Sequence, residues 1–257
     1  MEAIAPHLHA LVLVGAQAVY IHTGESDLAV APYTTDADLA LEPALLGPEP
    51  RLEIALRQAG FTRAENEVGT WRTLTTAAGK ERIVSVDLLV PESLGGPGRR
   101  SAHIPPHAPK TARKAAGLEG ALVDRELKRI RAQDLEDPRE LELMVAGPAA
   151  LIVAKAHKIM DREGDVDRRS DKDALDVYRL LRTLRTEAIG AQYQALLADP
   201  MSRDAAARAR EGLQQLFGWA NAPGTQMAVR AVEPLESGEI LAASLVALTQ
   251  ELLGTIG

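Results

Sequence analysis

Cysteine is absent from the chain, which excludes disulfides, thiolate metal sites and cysteine nucleophiles. Aromatic residues make up only 3% of it, so the core must be built from Leu, Ala, Val and Ile, and stacking of nucleobases on aromatic rings is a poor basis for recognition. Long apolar runs are also missing. The longest, Ala10 to Val14 and Ala149 to Ala154, fall far short of the roughly 20 residues that span a bilayer, and no basic segment followed by an apolar one stands at the N-terminus. These absences predict a soluble, unsecreted, cytoplasmic protein with no membrane partner.

What is present has the balance of a globular protein: 46% hydrophobic and 25% charged residues in a chain of 257, enough for one large domain or two modest ones. The net charge of -7 argues against indiscriminate nucleic-acid binding by the whole surface. Charge is uneven, however: from Arg99 to Arg131 nine Lys or Arg stand against three acids. Such a stripe can guide a polyanion, and its ordinary alternative is a solvated loop and helix face.

The pattern along the chain predicts a strand over Ala10 to Val14, a turn at Gly15, a short helix from Gln17 to His22, and a strand carrying Asp36 and Asp38. A helix from Glu49 to Gln58 follows, with Ile54, Ala55 and Leu56 on its apolar side, then strands at Thr70 to Thr76 and Arg82 to Val90. Leu94 to Pro109, rich in Gly and Pro, reads as a loop. Alternation over Glu140 to Val145 predicts a further strand. From Pro148, suited to a first helical position, the remainder reads as amphipathic helices: one ending near Gly164, one capped by Ser170, then Ala188 to Leu197, Arg203 to Phe217 and Leu241 to Leu253. The division predicted is 1–147 and 148–257.

The segment Thr34-Thr35-Asp36-Ala37-Asp38-Leu39 is the most informative. Strand side chains alternate, so two aspartates one residue apart project to the same face. Such a pair can hold a hard divalent cation, and magnesium prefers one or two carboxylates plus substrate phosphates. Asp87 stands inside the apolar run Ile83 to Val90, where an ionised carboxylate is costly unless paired or bound to metal. A charged strand end facing water is the plain alternative for the pair, and a carboxylate bonded to a turn is the alternative for Asp87.

Two later segments complete the pattern: the helix Pro148 to Arg162 with "AKAHKIMDR", and "DKDALDV" over Asp171 to Val177. Together with the Gly15 turn and the D-x-D strand, they resemble the nucleotidyltransferases of the AbiEii/AbiGii toxin group, including the MenT-type tRNA-modifying toxins, over residues 10 to 185. The resemblance implies an α+β chain with an N-terminal polymerase-beta-like nucleotidyltransferase domain, a mixed sheet with helices, and a C-terminal helical bundle. It implies that Asp36, Asp38 and Asp87 hold magnesium, that Lys155 contacts nucleotide phosphates, and that Asp173 is the later motif aspartate. Gly15, Ala16 and Thr34 would line the nucleotide. Ala16 stands where the family has a small hydroxyl residue, so phosphate contacts would fall to backbone N–H groups at the Gly15 turn and to Lys155.

The activity implied is transfer of a nucleoside monophosphate from a nucleoside triphosphate to an acceptor hydroxyl at the tRNA 3' end, by a toxin with a cognate antitoxin partner. Transfer to a small molecule or a protein is an alternative. So is a degenerate fold that binds nucleotide or a partner without chemistry, which Ala16 and Pro32 keep open. Individual residues also have ordinary explanations. Lys155 can snorkel from a half-buried helix, and Asp173 can close a capping box with Ser170. Asp176 and Arg179 are spaced as a surface pair and Lys158 and Arg162 as a solvated row. His157 reads as structural, and His103 and His107 as loop residues without zinc-type spacing.

Overall fold

The computed structural model describes residues 2–24, 36–77, 80–131, 139–162, 169–232, 235 and 237–257. Thr34 and Pro32 lie outside the described residues. The chain is α+β with a mixed sheet and divides into two compact units. The first is Met1–Gln17, Thr34–Ala115 and Arg125–Ala146; the second is Ala18–Tyr33, Ala116–Asp124 and Gly147–Gly257. The second unit is thus discontinuous: besides the stretch from Gly147 it takes in two earlier segments, which the sequence-based division at 147/148 leaves with the sheet.

The first unit holds the sheet. A 3-10 segment, Glu2–Ala10, leads into β1 (Leu11–Val14), where α1 (Gly15–Thr23) begins. Then follow β2 (Asp36–Leu41), α2 (Leu52–Gln58), β3 (Thr62–Arg63), β4 (Thr70–Ala77), β5 (Lys80–Pro91), β6 (Arg113–Ala115), β7 (Arg125–Arg131) and β8 (Glu140–Ala146). The order is β3-β4-β5-β2-β1-β8-β7, with β6 paired to β5. Strand β1 runs antiparallel to β2 and parallel to β8, while β2 is parallel to β5. All four residues of β1 are apolar and buried, the signature of a central strand covered on both faces.

Helix α2 corrects the predicted apolar side: Ile54 is exposed, and Glu53 is buried beside Leu52, Ala55 and Leu56. The reason lies in His107, itself buried. Its Nδ1 accepts the Leu52 N–H at 3.1 Å, and its Nε2 donates to the Gly47 carbonyl at 3.1 Å. An imidazole 55 residues away in sequence thus caps α2, taking one of the N–H groups a helix start leaves unpaired. Glu53 Oε2 lies 4.0 Å from the same ring and accepts from the Thr111 hydroxyl at 3.4 Å.

The second unit holds α3 (Pro148–Met160), α4 (Arg169–Thr183), α5 (Thr186–Ala198), α6 (Arg203–Phe217), α7 (Pro223–Val232) and α8 (Gly238–Ile256). Pro148 occupies the first turn of α3, and the Asp124 carboxylate accepts the Ala150 N–H at 3.1 Å. Helix α3 packs on α4, α5 and α6, and α7 on α4 and α8. Helix α7, which begins at Pro223, was not delimited among the helices read from the sequence. Helix α8 is long and apolar enough, by length and composition, to cross a bilayer. It packs against α5, α6 and α7, with Leu241, Leu245, Leu252 and Ile256 buried.

Candidate functional site

Strand pairing decides which acids meet. Strands β2 and β5 are parallel neighbours in the register Asp36↔Ser85 and Asp38↔Asp87. Directly paired residues point to the same face of a sheet, and alternation returns Asp36 to that face as well. The three carboxylates therefore share one face across two adjacent strands, which lie about 4.8 Å apart. They occupy its exposed end: Ala40, two residues beyond Asp38, is fully buried, whereas Asp36 is exposed.

Gly15 ties the first turn to this pair. Its φ of 70° is in the left-handed region that other residues avoid, and a Cβ placed on it would collide with the Asp38 carboxylate. Val14 is the residue paired with Asp38, so the start of α1 lies against the second acid of the D-x-D. The N–H groups and dipole of a helix start favour an anion there.

Asp87 is not an uncompensated buried charge. Its side chain is 24% exposed, and Oδ2 accepts from Arg113 Nη2 at 3.3 Å. Arg113 is paired with Leu89, two residues beyond Asp87, and so projects from the same face. Three carboxylates are a donor set that suits a hard divalent cation, and the register places them on one face of two adjacent strands. Among the described residues, however, no three acids or histidines stand at metal-ligating spacing: Asp87 is engaged with Arg113, and Asp38 lies against Gly15.

Lys155 and Asp173 belong to the second unit, in a different environment. Lys155 Nζ donates to Asp173 Oδ1 and Asp176 Oδ2, both at 2.6 Å, and all three side chains are about 5% exposed or less. Asp176 and Arg179 are therefore not a surface pair: Arg179 is 1% exposed and its guanidinium lies 5.5 Å from the centre of the Tyr20 ring. The Lys158 and Arg162 row is not simply solvated either, since both approach Asp173, at 3.1 and 3.8 Å. Burial by itself would lower the Lys155 pKa, but Asp173 and Asp176 outweigh it and hold the ammonium protonated. Burial likewise opposes the Asp173 carboxylate, and Lys155 and Lys158 outweigh it and keep it ionised. Burial pushes the Tyr20 hydroxyl up, and Asp176 adds to this, against Arg179 and Lys155.

His157 Nε2 donates to the Ala205 carbonyl at 2.9 Å, a structural role. The C-terminal part of the basic stretch is paired: Arg129 meets Glu142 at 3.3 Å and Arg131 meets Glu140 at 2.8 Å across the β7–β8 hairpin, while Arg125 meets Glu42 at 2.8 Å. These acids lie outside the window that made the stretch look basic. A groove of about 420 Å³ in the second unit is lined by Val229, Glu239, Ala242 and Ala243 among others, and among the described residues Glu239 is its one ionisable side chain.

Sequence reasoning missed Arg113, whose partner is 26 residues away and reaches it only through the pairing of β5 with β6. It also missed the burial of Asp176, although spacing of three from Asp173 on one helix was a usable signal. No protein-family model, curated protein or solved structure matches the chain.

Proposed function

We propose that the chain is a metal-dependent nucleotidyltransferase of the cytoplasm that transfers a nucleoside monophosphate to an acceptor hydroxyl, with the tRNA 3' end as acceptor, as the toxin of a toxin–antitoxin pair. The observation that supports this most is the shared face of Asp36, Asp38 and Asp87, with Gly15 and the start of α1 against Asp38. In this reading Asp36, Asp38 and Asp87 hold magnesium, and Gly15 and Ala16 offer backbone N–H groups to phosphate oxygens. Thr34, just before the D-x-D, would line the nucleotide. The bound ion supplies charge neutralisation at the reacting phosphoryl group. A bond forms between the acceptor oxygen and the alpha phosphorus as the bond to pyrophosphate breaks, and a neighbouring carboxylate eases removal of the hydroxyl proton.

The test is incubation with magnesium, each labelled nucleoside triphosphate and total tRNA. Label should appear on the tRNA 3' end with the native chain and vanish with Asp36→Ala. Equal labelling by both would remove the assignment. Label on a small molecule or on protein instead would redirect the acceptor.

A second reading, a degenerate fold that binds nucleotide or a partner without chemistry, is favoured by the two short bonds that engage Lys155 with Asp173 and Asp176. It expects nucleotide binding indifferent to magnesium and no labelled product.

A further inference from the structure

We infer that Arg113 is the phosphate-binding cation of the carboxylate face, and that its guanidinium passes from Asp87 to a triphosphate when a nucleotide enters. The inference rests on the nucleotidyltransferase reading above and assigns a residue which that reading does not use.

Position supports it first. Arg113 is paired with Leu89 on the face that carries Asp87, Asp38 and Asp36. Gly69 sets this strand closely: with φ of 82° it donates to the Lys110 carbonyl at 3.2 Å, and a Cβ on it would stand 2.7 Å from the Arg113 nitrogen. Availability supports it next. The Arg113 side chain is 34% exposed, and its contact with Asp87 is one of 3.3 Å, longer than the roughly 2.7–2.9 Å of a tight charge-assisted bond. The described cations nearby are otherwise engaged: Arg72, also on this face by its pairing with Ser85, meets Glu67, and Lys114 donates to the Gly96 carbonyl at 3.0 Å. Charge points the same way. A divalent cation held by the three carboxylates takes over most of the charge that Arg113 offsets at Asp87, which leaves the guanidinium for the arriving triphosphate. A guanidinium meets phosphate oxygens in a two-pronged geometry that suits this exchange.

The test is a titration of the full chain with adenosine, guanosine, cytidine and uridine triphosphate, each with magnesium, by calorimetry. The nucleotide that the native chain binds best should bind Arg113→Ala about thirtyfold more weakly and Arg113→Lys about fivefold more weakly. Equal affinity of the native chain and a folded Arg113→Ala overturns the inference and leaves the parent reading standing. No binding by the native chain overturns both. Should Arg113→Ala fail to fold, inorganic tripolyphosphate without magnesium is the second probe. Asp87→Asn, which releases Arg113, should bind it more tightly than the native chain, and Asp87→Asn with Arg113→Gln should lose that gain. A gain retained in the double variant would show that lost negative charge alone was responsible and overturns the inference.

Discussion

Two groups of acidic and basic side chains, alike in composition, differ in burial. On the sheet, Asp36, Asp38, Asp87 and Arg113 lie at the exposed end of one face, and Asp87 meets Arg113 at 3.3 Å. In the helical unit, Lys155, Asp173 and Asp176 are out of water and bonded at 2.6 Å. A charge taken out of water demands its partner, so the buried group is committed to holding α3 against α4. Charges left at a solvated edge gain little from one another and remain able to exchange partners. The difference teaches that the same residue types form a buried clamp in one place and stay partly solvated in the other, where, under the proposed function, they are the ligand set.

The comparison breaks most sharply on Asp36→Ala. Under the proposed function this variant loses nucleotidyl transfer by more than about a thousandfold, while its urea midpoint stays near that of the native chain, because Asp36 is exposed. Transfer that survives, or a chain that unfolds, removes the contrast. Lys155→Met should do the opposite to stability. Leaving two buried carboxylates without their shared cation costs about 3–5 kcal/mol, read as a lowered urea midpoint. A stable Lys155→Met that only loses nucleotide affinity would place Lys155 with the ligand set instead. Because the Lys155 ammonium is held protonated beyond its ordinary 10.5, the native chain should also lose stability as pH rises above that value.

Gly15→Ala sharpens the sheet side. Left-handed φ and collision with the Asp38 carboxylate should cost about 1–3 kcal/mol and displace Asp38, weakening the effect of magnesium on nucleotide binding. Native stability in the Gly15→Ala variant would show that the turn is not held against Asp38. The His107 cap gives the smallest effect. Burial pushes this imidazole's pKa down and His7 adds to that, against the Gly47 carbonyl and Glu53. The unfolded chain then takes up the proton first, so stability is full above about 6.5 and falls as pH drops below it. His107→Asn, whose amide oxygen can still accept the Leu52 N–H, should flatten the urea midpoint between about pH 7.5 and 5.5; an unchanged slope would assign it to another group.

Much of the fold was legible because its signals are local. Helix α6, Arg203–Phe217, has the predicted bounds, since its period of apolar residues is set within the segment itself. The alternation at Glu140 marked β8, and the apolar run from Ala10 to Val14 marked β1. Ile54 and Glu53 were misplaced because the choice between them depends on His107 and Thr111, residues more than 50 positions away. The pairing within the basic stretch was hidden for the same reason: Glu140 and Glu142, the partners of Arg131 and Arg129, lie across a hairpin.

The sequence by itself determined that the chain is α+β, that it lacks thiol chemistry, and that Asp36 and Asp38 share a face, because period and composition are properties of neighbours along the chain. Only the tertiary structure decided that Asp87 joins them, that Arg113 meets Asp87, and that Lys155 is held between Asp173 and Asp176. Strand register and helix packing bring distant residues together, and burial then fixes whether a charge must keep its partner or is available to a ligand.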